Sequence, residues 1–220
     1  MHENRRASRS SLPYVLLLLV SAVITQGGEA LASDSPAQQE PRLQEGGATS
    51  AEPAGRRDPF EKGSVGIEVG MGLLGETWNL NNRREWLTDG MLSMWWSFVN
   101  HAILVVEFHA TRVFQEPTRD AFVTGILPVV RVRVAELGVG NVFAELGVGA
   151  SWSDTAVPER GTRFNYLATA GLGVSRAIGR QTSLTTGIRW FHVSNNGREG
   201  HDRNPDIQAL GGYAALTLAF

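Results

Sequence analysis

His192 and Ser194 stand two residues apart in the run Trp190-Phe191-His192-Val193-Ser194-Asn195. A histidine and a serine are the pair that nucleophilic acyl transfer needs. The hydroxyl attacks, while the imidazole takes its proton and later returns it to the leaving group. The preceding residues, Ser183 to Trp190, alternate in character as a β-strand does. Side chains of a strand point to opposite faces with a period of two. Leu184, Ile188 and Trp190 therefore share one face, and His192 and Ser194 continue it within hydrogen-bonding reach of each other. What that apolar face touches decides what the pair can act on.

Composition narrows the answer. The chain has no cysteine, which removes disulfides, thiol catalysis, cysteine-zinc sites and a lipoprotein anchor together. A net charge of −2 gives no sign of nucleic acid as a partner. Arg5, Arg6 and Arg9 precede an apolar run from Pro13 to Thr25, and Ala30-Leu31-Ala32 offers a small-residue cleavage site. This predicts a secretory signal peptide over residues 1–32. No other stretch approaches the ~20 apolar residues that a transmembrane helix requires. Residues 33–62 are rich in Pro, Gly, Glu, Gln and Ala without hydrophobic period, which predicts a disordered periplasmic linker.

From Gly63 onward, eight alternating runs follow, near 65–74, 90–99, 102–114, 121–134, 142–153, 164–178, 183–194 and 209–220. In the first, Val65, Ile67, Val69, Met71 and Leu73 oppose Gly66, Glu68, Gly70 and Gly72. The fifth and sixth repeat the pattern, with Leu146, Val148 and Trp152 against Gly147, Gly149 and Ser151, and Tyr166, Leu172 and Val174 against Asn165, Gly171 and Gly173. Segments of about ten residues, apolar outward and small or polar inward, are the pattern of an outer-membrane barrel. The expected fold is all-β: an eight-stranded antiparallel transmembrane β-barrel over residues 63–220. The apolar face of the seventh strand then meets lipid, so a His-Ser pair on it implies a lipid substrate.

Inward parity collects Glu68, Glu107, His109, Arg131, Arg133, Glu145 and Arg189. An eight-stranded lumen is only wide enough for side chains, so these charges must pair. They read as a packed salt-bridge plug in preference to a proton or ion path. Trp86, Trp95, Trp96, Trp152 and Trp190 read as girdle or loop aromatics. The final strand alternates Leu216, Leu218 and Phe220 outward and ends the chain on an aromatic, which resembles the signal read by the outer-membrane barrel assembly machinery. With both barrel termini on the periplasmic side, odd strands run outward. The seventh strand then ends at the outer leaflet, which in Gram-negative cells is lipopolysaccharide.

Here the chain resembles the lipid A 3-O-deacylases, also called acyloxyacyl hydrolases. Their hallmark is His-x-Ser-Asn on the penultimate strand, a loop with Asn-Pro or Pro-Asn, and an acid on the last strand. The motif stands as His192-Val193-Ser194-Asn195, followed by Arg203-Asn204-Pro205-Asp206-Ile207-Gln208. The stretch from Pro158 to Tyr166, and on to Gly171-Leu172-Gly173, is also similar to the family. The likeness spans about Ser64 to Phe220, and its specific part is the C-terminal third.

The resemblance implies roles. Ser194 is the expected nucleophile, His192 the general base and then acid, Asn195 a supplier or shaper of the oxyanion hole, and Asn204 its helper. One departure stands out: where the family has glutamate, alignment on Asn204-Pro205 puts Gln208. An amide can accept the imidazole N–H but cannot stabilise imidazolium as a carboxylate does. Asp206, two residues earlier with the same parity, is the alternative acid, and Glu199 and Asp202 are less suited. His201 and Asp202 alone do not make a metal site, and no cofactor is expected, since water completes the deacylation.

The expected function is therefore that of an outer-membrane serine esterase removing an ester-linked acyl chain, the 3-O chain by resemblance, from the lipid A of lipopolysaccharide. The rival is a non-catalytic barrel that anchors or packs lipopolysaccharide. Arg160, Arg163, Arg198 and Arg203 are candidate contacts for lipid A phosphates. The sequence leaves open whether two barrels pair as a homodimer.

Overall fold

A computed structural model of the chain describes residues 57–77, 84–116, 118–200 and 203–220. The expected signal peptide, most of the expected linker, and His201 and Asp202 lie outside the described residues. Eight strands form: β1 (Val65–Glu76), β2 (Trp86–Val99), β3 (Ala102–Phe114), β4 (Ala121–Leu137), β5 (Gly140–Val157), β6 (Thr162–Ala177), β7 (Thr182–Ser194) and β8 (Ile207–Ala219). Each pairs antiparallel with its neighbours, and β1 pairs with β8 to close the barrel. Closure leaves no unpaired sheet edge, which is what allows strands to cross a bilayer.

The alternation seen in the sequence becomes an inside and an outside. Val69, Met71, Leu92, Met94, Phe108, Leu172, Ile188 and Leu216 are exposed on the outer wall, while Glu68, Glu107, Glu145, Arg131 and Arg189 are buried within. A water-soluble barrel has the reverse arrangement. The interior charges pair along the axis. Thr217 donates to Glu68, and Arg131 makes a two-pronged contact with Glu68 at 3.2 and 3.3 Å. Arg131 also reaches Glu145 at 3.3 Å. Arg189 binds Glu145 at 2.9 Å and both oxygens of Glu107 at 2.9 Å. His109 lies between Glu107 (3.0 Å) and Asp89 (2.8 Å). Arg131 stacks over Phe143 and Arg189 over Tyr213. Two cavities of about 10 Å³ line this network, room for roughly one water each. The lumen is packed as a plug.

Two expectations change. Trp95 is an interior residue, 4 % exposed. It faces Gly66 across the β1–β2 pair, where the absence of a side chain makes room for the indole. The strands also extend further toward one end than expected. β2 begins at Trp86, because Leu87 and Asp89 continue the inward parity and pair opposite Leu74 and Gly72. Between β5 and β6 the connection shrinks to 158–161.

Connections at one end are short: 100–101, 138–139 and 178–181. At the other they are 77–85, 115–120, 158–161 and 195–206. The candidate site lies at this second, loop end. At the turn end, Phe60 is 1 % exposed and packs on Phe143 with ring centroids 6.2 Å apart. Asp58 beside it pairs with Arg133 at 2.6 Å. The residues just before β1 are thus ordered against the barrel.

Candidate active site

β7 runs to the loop end and stops at Ser194, where the chain turns sharply. Asn196 and Gly197 both have positive φ, 56° and 69°, and the Arg198 N–H returns to the Asn195 carbonyl. Asparagine and glycine are the residue types that tolerate this left-handed pair. The Asn195 side chain braces the turn: its Oδ1 accepts the Gly197 N–H at 2.9 Å, and its Nδ2 donates to the Arg203 carbonyl at 2.6 Å. Both ends of its amide are therefore committed, and it shapes the site from a buried position.

Ser194 is held by the same loop. Its hydroxyl donates to Asn204 Oδ1 at 2.9 Å, and that oxygen also accepts the Asn195 N–H at 2.9 Å. The Asn196 N–H donates to Ser194 Oγ at 3.1 Å. Asn204 thus touches the serine directly, and its Nδ2 is a donor that none of the described residues takes.

His192 sits one outward position below. In the β7–β8 register it lies opposite Gln208, as strand parity indicated. Gln208 Nε2 is 2.8 Å from His192 Nδ1 and donates to Asp206 Oδ2 at 2.9 Å. Trp190 Nε1 donates to Gln208 Oε1 at 2.9 Å. An indole nitrogen only donates and a carboxylate only accepts, so both partners fix the amide the same way round. Its N–H side faces the imidazole. Nδ1 is accordingly an acceptor, and a neutral His192 carries its proton on Nε2. This reverses the expectation that the Gln208 oxygen would accept the imidazole N–H: Trp190 has claimed that oxygen.

Asp206 is closer to service than its sequence position suggested. Its Oδ2 lies 3.7 Å from His192 Nδ1 with no change of strand register. Glu199, by contrast, pairs with Arg203 at 2.7 Å. The site therefore has two adjoining clusters: His192 with Trp190, Gln208 and Asp206, and Ser194 with Asn195, Asn196 and Asn204. Among the described residues no hydrogen bond links Ser194 to His192. Among them, too, no cluster of His, Asp or Glu is suited to hold a metal ion.

Sequence reasoning missed Trp190 as a site residue. Its ring stacks on His192 with centroids 5.7 Å apart and planes 12° apart. Its shared parity with His192 was the available signal. It also missed Tyr166, which pairs opposite Ser194 in the β6–β7 register.

A closed eight-stranded barrel with an apolar outer wall and a paired, charged interior defines an outer-membrane β-barrel protein of Gram-negative cells. The chain belongs to the lipid A 3-O-deacylase (PagL) family, whose model matches residues 63–217. No curated protein matches it in sequence. Among solved structures it is similar to Neisserial surface protein A, at 12 % identity and a TM-score of 0.55 over 72 % of this chain and 100 % of that one. It also matches the outer membrane protein OprG from Pseudomonas aeruginosa, at 11 % identity and a TM-score of 0.41 over 76 % and 97 % of the two chains. At 12 % identity the first likeness is one of fold.

Proposed function

We propose that the chain, once residues 1–32 are removed, is a serine esterase of the outer leaflet that releases the 3-O acyl chain of lipid A. One observation carries this reading: Ser194 and His192 stand on the outward face of β7 at the loop end, beside the Asp206 carboxylate and the Asn204 amide, where an ester of a membrane lipid can reach them. With the loops extracellular, as is usual for such barrels, the pair is level with lipopolysaccharide.

Ser194 Oγ attacks the ester carbonyl, and its proton passes to His192 Nε2. That transfer requires the ring proton to sit on Nδ1, so Gln208 must yield its place there and Asp206 must accept the Nδ1–H across the present 3.7 Å. The Asp206 carboxylate then stabilises the imidazolium, the part an acid plays in a Ser-His-Asp triad. The Asn196 N–H and Asn204 Nδ2 are the donors nearest the carbonyl oxygen as it gains charge, a contribution worth about 2.7–4 kcal/mol per donor in a serine protease. Collapse breaks the C–O bond, and the imidazolium protonates the departing sugar hydroxyl. Water, deprotonated by His192, then releases the fatty acid from Ser194.

The rival reading, a barrel that packs lipopolysaccharide without cleaving it, is favoured by one feature: His192 rests in the tautomer that cannot accept at Nε2. Mass spectrometry of lipid A from cells expressing the protein separates the two. Loss of one ester-linked acyl chain, abolished by Ser194→Ala and by His192→Asn in barrels that still show heat-modifiable gel migration, supports the esterase. Near wild-type activity in Ser194→Ala ends the serine mechanism, and unaltered lipid A with the wild-type chain leaves the packing role.

A further inference from the structure

Beside Ser194, on the outer wall, lies a ledge of rings. Tyr166, opposite Ser194 in register, meets Phe164 edge-on at 5.3 Å, and Phe164 contacts Trp152 at 6.5 Å. Tyr166 and Trp152 are exposed on the lipid-facing side. Two arginines lie on this ledge. Arg198, from the loop after Ser194, sits 5.8 Å above the Phe164 ring and donates Nη1 to Tyr166 Oη at 3.2 Å. Arg163 sits 5.7 Å above the Trp152 ring and donates Nε to the Ser153 carbonyl at 3.0 Å.

What marks this pair is a ring beneath each guanidinium with no counter-charge among the described residues. Elsewhere at the loop end Arg112 pairs with Asp120, Arg119 with Asp154 and Arg203 with Glu199. Among the described residues, no carboxylate lies within ion-pair distance of Arg163 or Arg198. Each guanidinium is held by a ring and by a single hydrogen bond, which leaves most of its donors without a partner among the described residues. Guanidinium forks match phosphate oxygens two at a time, and ring stacking fixes their plane in advance. At a membrane boundary, two such cations next to a nucleophile face the headgroup of whatever lipid that nucleophile meets.

We infer that Arg163 and Arg198, mounted on Trp152, Phe164 and Tyr166, form a phosphate subsite that holds a phosphorylated sugar of the substrate lipid while its ester reaches Ser194. The inference rests on the esterase reading for its substrate, but the subsite has its own test. The occupant is a phosphate of the lipid being cleaved, and its contribution is to binding and placement, so the loss on removal falls on KM.

Two probes decide it: bisphosphoryl lipid A and the same lipid dephosphorylated, each presented in mixed detergent micelles to the purified barrel. With Arg163→Gln/Arg198→Gln, KM for the phosphorylated lipid should rise about tenfold or more with kcat within about twofold, since charge-assisted bonds are the strong ones. The dephosphorylated lipid should show the raised KM already in the wild type and no further change in the variant. The lysine pair, Arg163→Lys/Arg198→Lys, should recover part of the affinity, because charge is kept and the fork is lost. An equal loss on both lipids, or no change on either, overturns the subsite. Lipid binding to the Ser194→Ala barrel, followed by native mass spectrometry, supplies the readout without turnover. If the wild type cleaves neither lipid the esterase reading fails, while a binding preference for the phosphorylated lipid that vanishes in the arginine variant still upholds the subsite. No such preference overturns it.

Discussion

Trp190 Nε1 lies 2.9 Å from Gln208 Oε1, and this one bond decides which face of the Gln208 amide His192 meets. Because the oxygen is taken, the nitrogen turns to the imidazole and bridges it to Asp206. Among the described residues, the carboxylate placed to supply charge for a cationic intermediate is then Asp206. Asp206→Asn should therefore lower turnover by orders of magnitude, up to the about 10⁴-fold seen when a triad acid becomes an amide. Gln208→Glu alone should help little. It would set two carboxylates against each other, and like charges at that range hold one of them protonated. In the Asp206→Asn background the same Gln208→Glu change should restore activity, since the new carboxylate accepts both the Trp190 N–H and the His192 N–H. Acyl-chain release from lipid A, followed by mass spectrometry, reads all three. Undiminished activity in Asp206→Asn would mean that His192 and Ser194 work without an acid.

Much of this geometry was legible in the sequence for one reason. A period of two fixes the face of every strand residue, so Glu68 and Arg189 were placed inside, and His192 and Ser194 outside, from spacing alone. Parity also set Gln208 against His192. What parity cannot supply is side-chain orientation. Which end of the Gln208 amide faces the ring depends on Trp190, and whether Asn195 donates to substrate or braces the loop depends on Arg203 and Gly197. Trp95 and Trp96 look alike in a list of aromatics, yet one fills the space above Gly66 and the other faces outward. Strand ends were missed where Thr88-Asp89-Gly90 carries turn-forming residue types, although the interior accepts Asp89 beside His109.

The interior charges act as a unit around Arg189. It satisfies both oxygens of Glu107 and one of Glu145, all buried. Arg189→Met would keep the volume and leave Glu107 to His109, and Glu145 to Arg131 and Tyr213, without their strongest cation. Breaking one partner of a buried network costs about 3–5 kcal/mol. Urea unfolding in lipid vesicles should show a loss of that size, and a loss under about 1 kcal/mol would mean that the lumen is wet enough to solvate the acids.

Orientation is tested from both ends. A cysteine at Glu199, in the exposed loop after Ser194, should react with an impermeant thiol reagent on intact cells, and one at Arg180, in the turn before β7, should not. The reverse pattern would put the site in the periplasm and remove its access to lipopolysaccharide. The outer wall has its own check: Leu172 and Leu216 are exposed to lipid, so arginine at either should cost roughly 2–4 kcal/mol near the bilayer midplane.

The turn end carries a prediction outside the family match, which begins at residue 63. Phe60 seats its ring on Phe143 beneath the interior network, with Arg133 5.5 Å above its face. Its carbonyl accepts the His101 N–H at 2.9 Å, and Asp58 holds Arg133 at 2.6 Å. A buried phenylalanine truncated to alanine costs about 3–5 kcal/mol where the cavity cannot collapse. A site at the barrel rim can collapse in part, so Phe60→Ala should fall at or below the low end of that range. The Asp58–Arg133 pair is partly exposed, and Asp58→Asn should cost no more than about 1 kcal/mol. Both variants should keep acyl-chain release at the loop end, because the charged network separates the two ends. Urea unfolding of the two variants beside the wild type measures the costs, and a Phe60→Ala barrel as stable as the parent would show that the segment before β1 lies on the barrel without holding it.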